Sequence, residues 1–113
     1  MLVRVWKVGL APAKAAELEI FANNISLPMF RAQHGCLAVF FTRTETECAT
    51  MTVWDSEKSV KEMEASPLYQ QVVGQIEQSG ILGNDHQTRV FSVYGGFVRD
   101  ELPNLISSSK VGT

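Results

Sequence analysis

The sequence is short of the residues on which several common chemistries depend. Its 113 residues contain only two cysteines, Cys36 and Cys48, and only two histidines, His34 and His86. Two isolated thiols within apolar stretches do not make a disulfide framework and read as reduced core residues. There is no CxxC pair, no HExxH, no Ser-His-Asp arrangement and no glycine-rich phosphate loop; Gly95-Gly96 has no helix after it. Charge is sparse as well, at 19% of residues with a net −2 and no basic block, which argues against a nucleic-acid partner. No apolar run approaches the roughly 20 residues that cross a bilayer, so no membrane role is expected. The opening residues run straight into a strand pattern instead of a secretory leader, and the expected location is cytoplasmic.

What is present is a globular composition, 45% hydrophobic, in a chain of single-domain length. Low charge in so small a domain leaves apolar surface, which points to an oligomeric interface. Leu2 to Leu10 alternates as a strand, with Leu2, Arg4, Trp6 and Val8 on one face. Pro12 suits a first helical position, and Leu18, Phe21, Ala22 and Ile25 follow at helical spacing. Pro28 is expected to end that helix at Leu27, and Met29 to His34 then form a loop before Gly35. Cys36 to Thr42 is almost wholly apolar, the pattern of a strand covered on both faces. Arg43 to Glu47 is a hairpin connection without the usual Gly or Asn.

Glu47 to Trp54 is the third strand, with Thr50, Thr52 and Trp54 to one side and Met51 and Val53 to the other. Asp55-Ser56 caps a helix that runs to Ala65, and Ser66-Pro67 starts another that ends at Ser79-Gly80. A loop through Gly83 to His86 reaches the last strand, about Thr88 to Tyr94. The order βαββα(α)β is that of an α+β, ferredoxin-like fold: a four-stranded antiparallel sheet with helices on one face. Residues 1–97 form the expected domain. The tail, 98–113, ending in Ser107-Ser108-Ser109-Lys110, is weakly ordered or packed on a partner subunit. Helices on one face leave the other bare, so a homodimer through the sheet face is expected.

Gly35 at the start of the second strand, the run Thr52-Val53-Trp54-Asp55-Ser56 and the helix break at Ser66-Pro67-Leu68-Tyr69 resemble the antibiotic biosynthesis monooxygenase family, in the dimeric α+β barrel group. The resemblance covers about residues 2–94. It implies a pocket between sheet and helices and a possible cofactor-independent oxygenation of a small aromatic, phenol- or hydroquinone-like substrate. Haem-degrading relatives use an Asn on the first strand, a strand-end Trp and a His on the following helix. Trp54 matches the Trp, but the Asn position falls at Trp6 and the His position at about Val73. The resemblance therefore implies no haem, and the sequence offers neither a cofactor motif nor metal-ligand spacing.

Trp54 and Arg4, on the pocket face, are candidate donors to an anionic substrate oxygen, and His34 at the strand entrance is a candidate general base. Trp6, Thr52, Phe30 and Tyr69 are candidate pocket residues, with the two indoles sharing one cavity. Each has a plainer reading. The indoles and Tyr69 would serve as core packing, Arg4 as an exposed or ion-paired residue, His34 as a solvated loop side chain, and Phe30 as a pocket-mouth or subunit contact. A non-catalytic dimeric binding or structural protein of the same fold is the competing function.

Overall fold

The structure, a computed structural model, describes residues 1–107. Strands β1 (Leu2–Gly9), β2 (Cys36–Arg43), β3 (Glu47–Trp54) and β4 (Gln87–Ser92) form one antiparallel sheet in the order β2-β3-β1-β4. Helices α1 (Ala15–Phe21), α2 (Leu27–Arg31), α3 (Glu57–Ala65) and α4 (Pro67–Gln78) supply the helical layer, and a short α5 (Leu102–Ser107) follows β4. The expected ferredoxin-like α+β topology is the one found. The last strand stops two residues earlier than its sequence pattern suggests, at Ser92, with Val93 N–H donating once more to the Met1 carbonyl.

The largest departure from sequence expectation is at Pro28. The chain remains helical through it: a π-helical turn, Ala22–Ser26, joins α1 to α2, and Leu27 just before the proline has φ −59° and ψ −51°. In a π turn the amide reaches one residue further back, as Leu27 N–H does to the Ala22 carbonyl. A proline that would clash with the carbonyl four residues earlier in a regular helix is accommodated at the start of α2 by the widened turn. Met29 and Phe30 consequently lie on a helix and are buried, instead of in the expected loop.

The remaining punctuation follows local chemistry. Ser56 accepts from Ser59 N–H and Ser66 from Tyr69 N–H, each capping the helix it precedes, and Pro67 takes the first helical turn. The β2–β3 hairpin closes without Gly or Asn because the Thr44 hydroxyl accepts from both Thr46 and Glu47 N–H. The tail is partly helical, in α5; its residues 108–113 lie outside the described ones.

The register fixes which residues share a face. Leu2 pairs with Trp54, Arg4 with Thr52, Trp6 with Thr50 and Val8 with Cys48, all facing the helices. Val3, Val5, Phe40, Met51, Val53 and Phe91 fall on the opposite face, which no helix layer covers among the described residues; Phe91 is 43% exposed. Among the described residues, the strand Cys36–Arg43 therefore has helices on one side only.

Gly35 joins the two layers at its end of the sheet. It has φ +87°, and its carbonyl accepts from Asp55 N–H. Asp55 in turn accepts from Ser59 Oγ at 2.6 Å and Ser56 Oγ at 3.0 Å, bonds that hold its carboxyl below the ordinary carboxylate range. A Cβ at Gly35 would run into the Ser59 side chain and lie 2.6 Å from Asp55 Oδ1. Gly35→Ala combines left-handed backbone strain with that collision, and a loss of about 2 kcal/mol or more is expected. Denaturant unfolding of the variant checks this; a midpoint equal to wild type would refute the assignment.

Candidate functional site

Arg4 is the central side chain of the helix-facing sheet surface, and it is 5% exposed. A buried guanidinium needs acceptors and counter-charge around it. They come from the two sides of the α3–α4 break. Ser66 breaks the helix, so Glu64 in the last turn of α3 and Tyr69 in the first turn of α4 both reach Arg4. Nε donates to Glu64 Oε2 at 3.2 Å, Nη2 lies 3.2 Å from the same oxygen, and Nη2 donates to the Tyr69 hydroxyl at 3.0 Å. Among the described residues, Nη1 has no hydrogen-bond partner. Since no buried side-chain nitrogen among the described residues lacks a partner, Nη1 must retain an open side.

Arg4 also lines a cavity of about 80 Å³. It lies between two apolar clusters: one around Trp54, Met63 and Phe30, the other around Leu10, Ile76 and Ile81, with Phe21 packed against both. The sheet contributes Arg4, Trp6, Phe41, Cys48 and Thr50; the helices contribute Phe21, Phe30, Tyr69 and Val73. Ala22 and Ser26 of the π turn also line it. Arg4 is the one charged residue on its wall, and no carboxylate is present there. Tyr69 accepts from Arg4 but has its own proton to give, and the indole N–H of Trp6 has no acceptor among the described residues. One region of the cavity thus presents N–H and O–H donors, while the rest is apolar.

The sequence-derived candidates divide. Arg4, Trp6, Tyr69 and Phe30 meet at this cavity. Phe30 does so as a buried helical residue of α2, not as a loop gate. Trp54 and Thr52 share the correct sheet face but do not line the cavity. Trp54 is fully buried and its N–H donates at 2.7 Å to the Thr52 hydroxyl, so that donor is already engaged. The two indoles therefore do not share one cavity: Trp54 pairs with Leu2 and Trp6 with Thr50, four residues apart along the sheet, or about 13 Å. His34 is exposed in the turn before β2, beside Asp55, and is not on the cavity wall. Among the described residues, no three His, Cys, Asp or Glu side chains gather as metal ligands, and no helix is long and apolar enough to cross a membrane.

Sequence reasoning missed Glu64, Cys48, Phe21 and Thr50. Glu64 looks like an exposed helix charge until the break at Ser66 places it against Arg4. Cys48 was legible by parity, since it lies two residues from Thr50 on the same face of β3.

No family model matches the chain, and no curated protein matches it. Solved structures do. A monooxygenase of Streptomyces coelicolor, ActVA-Orf6, in complex with nanaomycin D aligns over 87% of this chain and 91% of its own, at TM-score 0.74 and 18% identity. SnoaB, a cofactor-independent oxygenase of Streptomyces nogalater, aligns over 87% and 97%, at TM-score 0.69 and 14% identity. NE2512 of Nitrosomonas europaea, a protein of unknown function, aligns over 87% and 93%, at TM-score 0.71 and 13% identity. The chain shares its ferredoxin-like α+β fold with these proteins, and with a protein described as a putative antibiotic biosynthesis monooxygenase from Caulobacter crescentus (TM-score 0.71, 16% identity, over 83% of this chain and 90% of its own). At these identities the likeness concerns the fold; it does not carry an activity with it.

Cys48 supplies a check on how closed this site is. Burial first, then the neighbouring Glu47 charge, pushes its thiol up to about 11. A thiol so raised stays protonated at pH 8 and is a poor nucleophile. Mass-mapped alkylation at pH 8 should label Cys48 in the unfolded chain far faster than in the native one. Equal labelling would mean that the cavity wall is open.

Proposed function

We propose that the chain is a cofactor-independent oxygenase of a small aromatic, phenol- or hydroquinone-like substrate, bound in the cavity at Arg4, Trp6 and Tyr69. The observation that carries the reading is an apolar cavity whose polar region offers hydrogen-bond donors and whose sole charge is a guanidinium. Such a wall suits an aromatic ring bearing one or two acceptor oxygens. The cofactor-independent oxygenase among the structures of this fold adds support, as does the ligand complex of the Streptomyces coelicolor monooxygenase.

The cavity's size restricts the substrate. At about 80 Å³ it lies well below the roughly 300–1,000 Å³ of pockets that enclose drug-sized ligands. A single ring seated at the mouth is the natural occupant, and larger polycycles require the helical wall to move. As the substrate oxygen gives up its proton to solvent at the cavity mouth, charge develops where Arg4, the Tyr69 O–H and the Trp6 N–H can meet it. Donors fixed in place beforehand stabilise that charge without reorganising. The substrate's own electrons reduce oxygen. A phenol with a free para C–H plus O₂ becomes the quinone plus one water, so one oxygen atom enters the ring and the other leaves as water.

Oxygen uptake by the purified chain with single-ring phenols and hydroquinones, without added cofactor or metal, tests the proposal. Activity should fall on the order of 10²-fold in Tyr69→Phe, which removes a donor while keeping the ring. Wild type inert on the whole panel would favour the non-catalytic binding protein; an active but unaffected variant would remove Tyr69 from the site.

The same proposal includes a second copy of the chain on the bare sheet face. Its support is the apolar row Val3, Val5, Phe40, Met51, Val53 and Phe91, together with the exposed apolar side chains of Tyr94, Phe97 and Val98 just past β4. Sedimentation at micromolar concentration should give a dimer, and Met51→Lys should shift it towards monomer. A wild-type monomer would overturn this.

A further inference from the structure

Glu64 stands outside the cavity yet contacts the one charged residue on its wall. It is absent from the lining, and its side chain is 43% exposed, but one of its oxygens faces both Nε and Nη2 of buried Arg4 at 3.2 Å. Arg4 and Tyr69 both line the cavity, whereas Glu64, which pairs Nε and Nη2, does not, and among the described residues Nη1 has no hydrogen bond. We infer that Glu64 is a specificity-determining residue: by neutralising Arg4 it sets the cavity to receive a neutral hydroxyl or carbonyl oxygen in preference to a carboxylate or an already ionised ligand. The inference rests on the cavity being a ligand site, as proposed above.

The physical reason is that like charges sharing one buried cation oppose each other, even where one of them is partly solvated. A ligand carboxylate at Nη1 would place a second anion on a guanidinium that Glu64 already satisfies. A ketone or phenol oxygen accepts the same hydrogen bonds without that repulsion. The donors then decide where the oxygen sits, and Glu64 decides which protonation state enters. Glu62 and Glu57 do not share this role. Their ion pairs run along α3 to Lys58 and Lys61, whereas Glu64 is the α3 carboxylate that reaches Arg4. A neutral phenol enters such a site without that repulsion, and the charge that develops on its oxygen during reaction then rests mainly on the Tyr69 O–H and Trp6 N–H donors.

The test is a matched ligand pair of nearly equal shape, benzoate and acetophenone, titrated by NMR into the full chain as wild type and Glu64→Gln. Glutamine keeps the length and an acceptor oxygen for Arg4 but removes the charge. The benzoate-to-acetophenone affinity ratio should rise about tenfold in the variant, the scale of one partly screened charge at close range. A ratio within twofold of wild type, with both ligands bound at the cavity resonances, would overturn the role of Glu64. If neither ligand binds either protein, the ligand-site reading fails and this inference goes with it. Should Glu64→Gln prove unfolded by circular dichroism, Glu64→Asp, which withdraws the charge from Arg4, should raise the ratio in the same direction by less; an unchanged ratio there would also overturn it.

Discussion

The organising constraint of this molecule is a positive charge buried in the middle of its core. Along β1 the helix-facing residues read Leu2, Arg4, Trp6, Val8, and the chain continues to Leu10. Without Arg4 this would be an ordinary apolar stripe, and helices could close over it. A guanidinium cannot be packed that way, because its donors need acceptors and its charge needs a partner. The core accordingly divides, with one cluster around Trp54 and Met63 and another around Leu10 and Ile76. The cavity lies between them. The helix break at Ser66-Pro67 belongs to the same solution, since an unbroken helix through that region would not direct both Glu64 and Tyr69 to one side chain. Capping by Ser66 is reinforced by a hydrogen bond from Gln33, at the end of the α2 segment, so the break is tied to the far helix too.

The second constraint is area. Four strands present two faces, and the helices of one chain cover one. The residues on the bare face are those a buried face would have: valines, methionine and phenylalanines, interrupted at its margins by Lys7 and Arg89. A chain with this little charge has few residues with which to solvate such a surface. The same scarcity makes Arg4 conspicuous: one of ten basic residues in the sequence is placed where water hardly reaches.

Much of the fold was legible because its signals are local. Ser56, Ser66-Pro67 and Gly80 act within one turn of where they stand, and strand parity in β1 and β3 survives because no bulge interrupts their pairing. Pro28 misled the reading because the rule applied to it assumes a regular α-helix, and the chain escapes by widening a turn. The site was half legible. Parity placed Arg4 and Trp6 on the correct face, and helical spacing placed Tyr69. Parity cannot say how far along a face two residues lie, and Trp54 was therefore paired with Trp6 although their strand partners differ by four positions. Nor does any one-dimensional pattern distinguish Glu64 from its neighbours on α3, because what sets it apart is a break two residues later and a contact 60 residues away.

The π turn and the cavity are best understood together. Ala22 and Ser26, the two ends of the turn, both line the cavity, and Met29 and Phe30 follow within the next helical turn. A regular helix interrupted at Leu27, as Pro28 suggested, would have left Met29 and Phe30 in a loop, with no defined wall opposite Arg4. A regular helix continued past residue 27 would have met the proline ring. The wide turn carries the helix through and advances its face by one residue, delivering Met29 and Phe30 inward. Small Ala22 at one end and Ser26 at the other add little volume at the wall, where larger side chains would fill about 80 Å³ of space. The helical layer therefore keeps an opening over the buried charge because its sequence combines a proline that a regular helix cannot hold with short side chains where the helix adjusts to hold it.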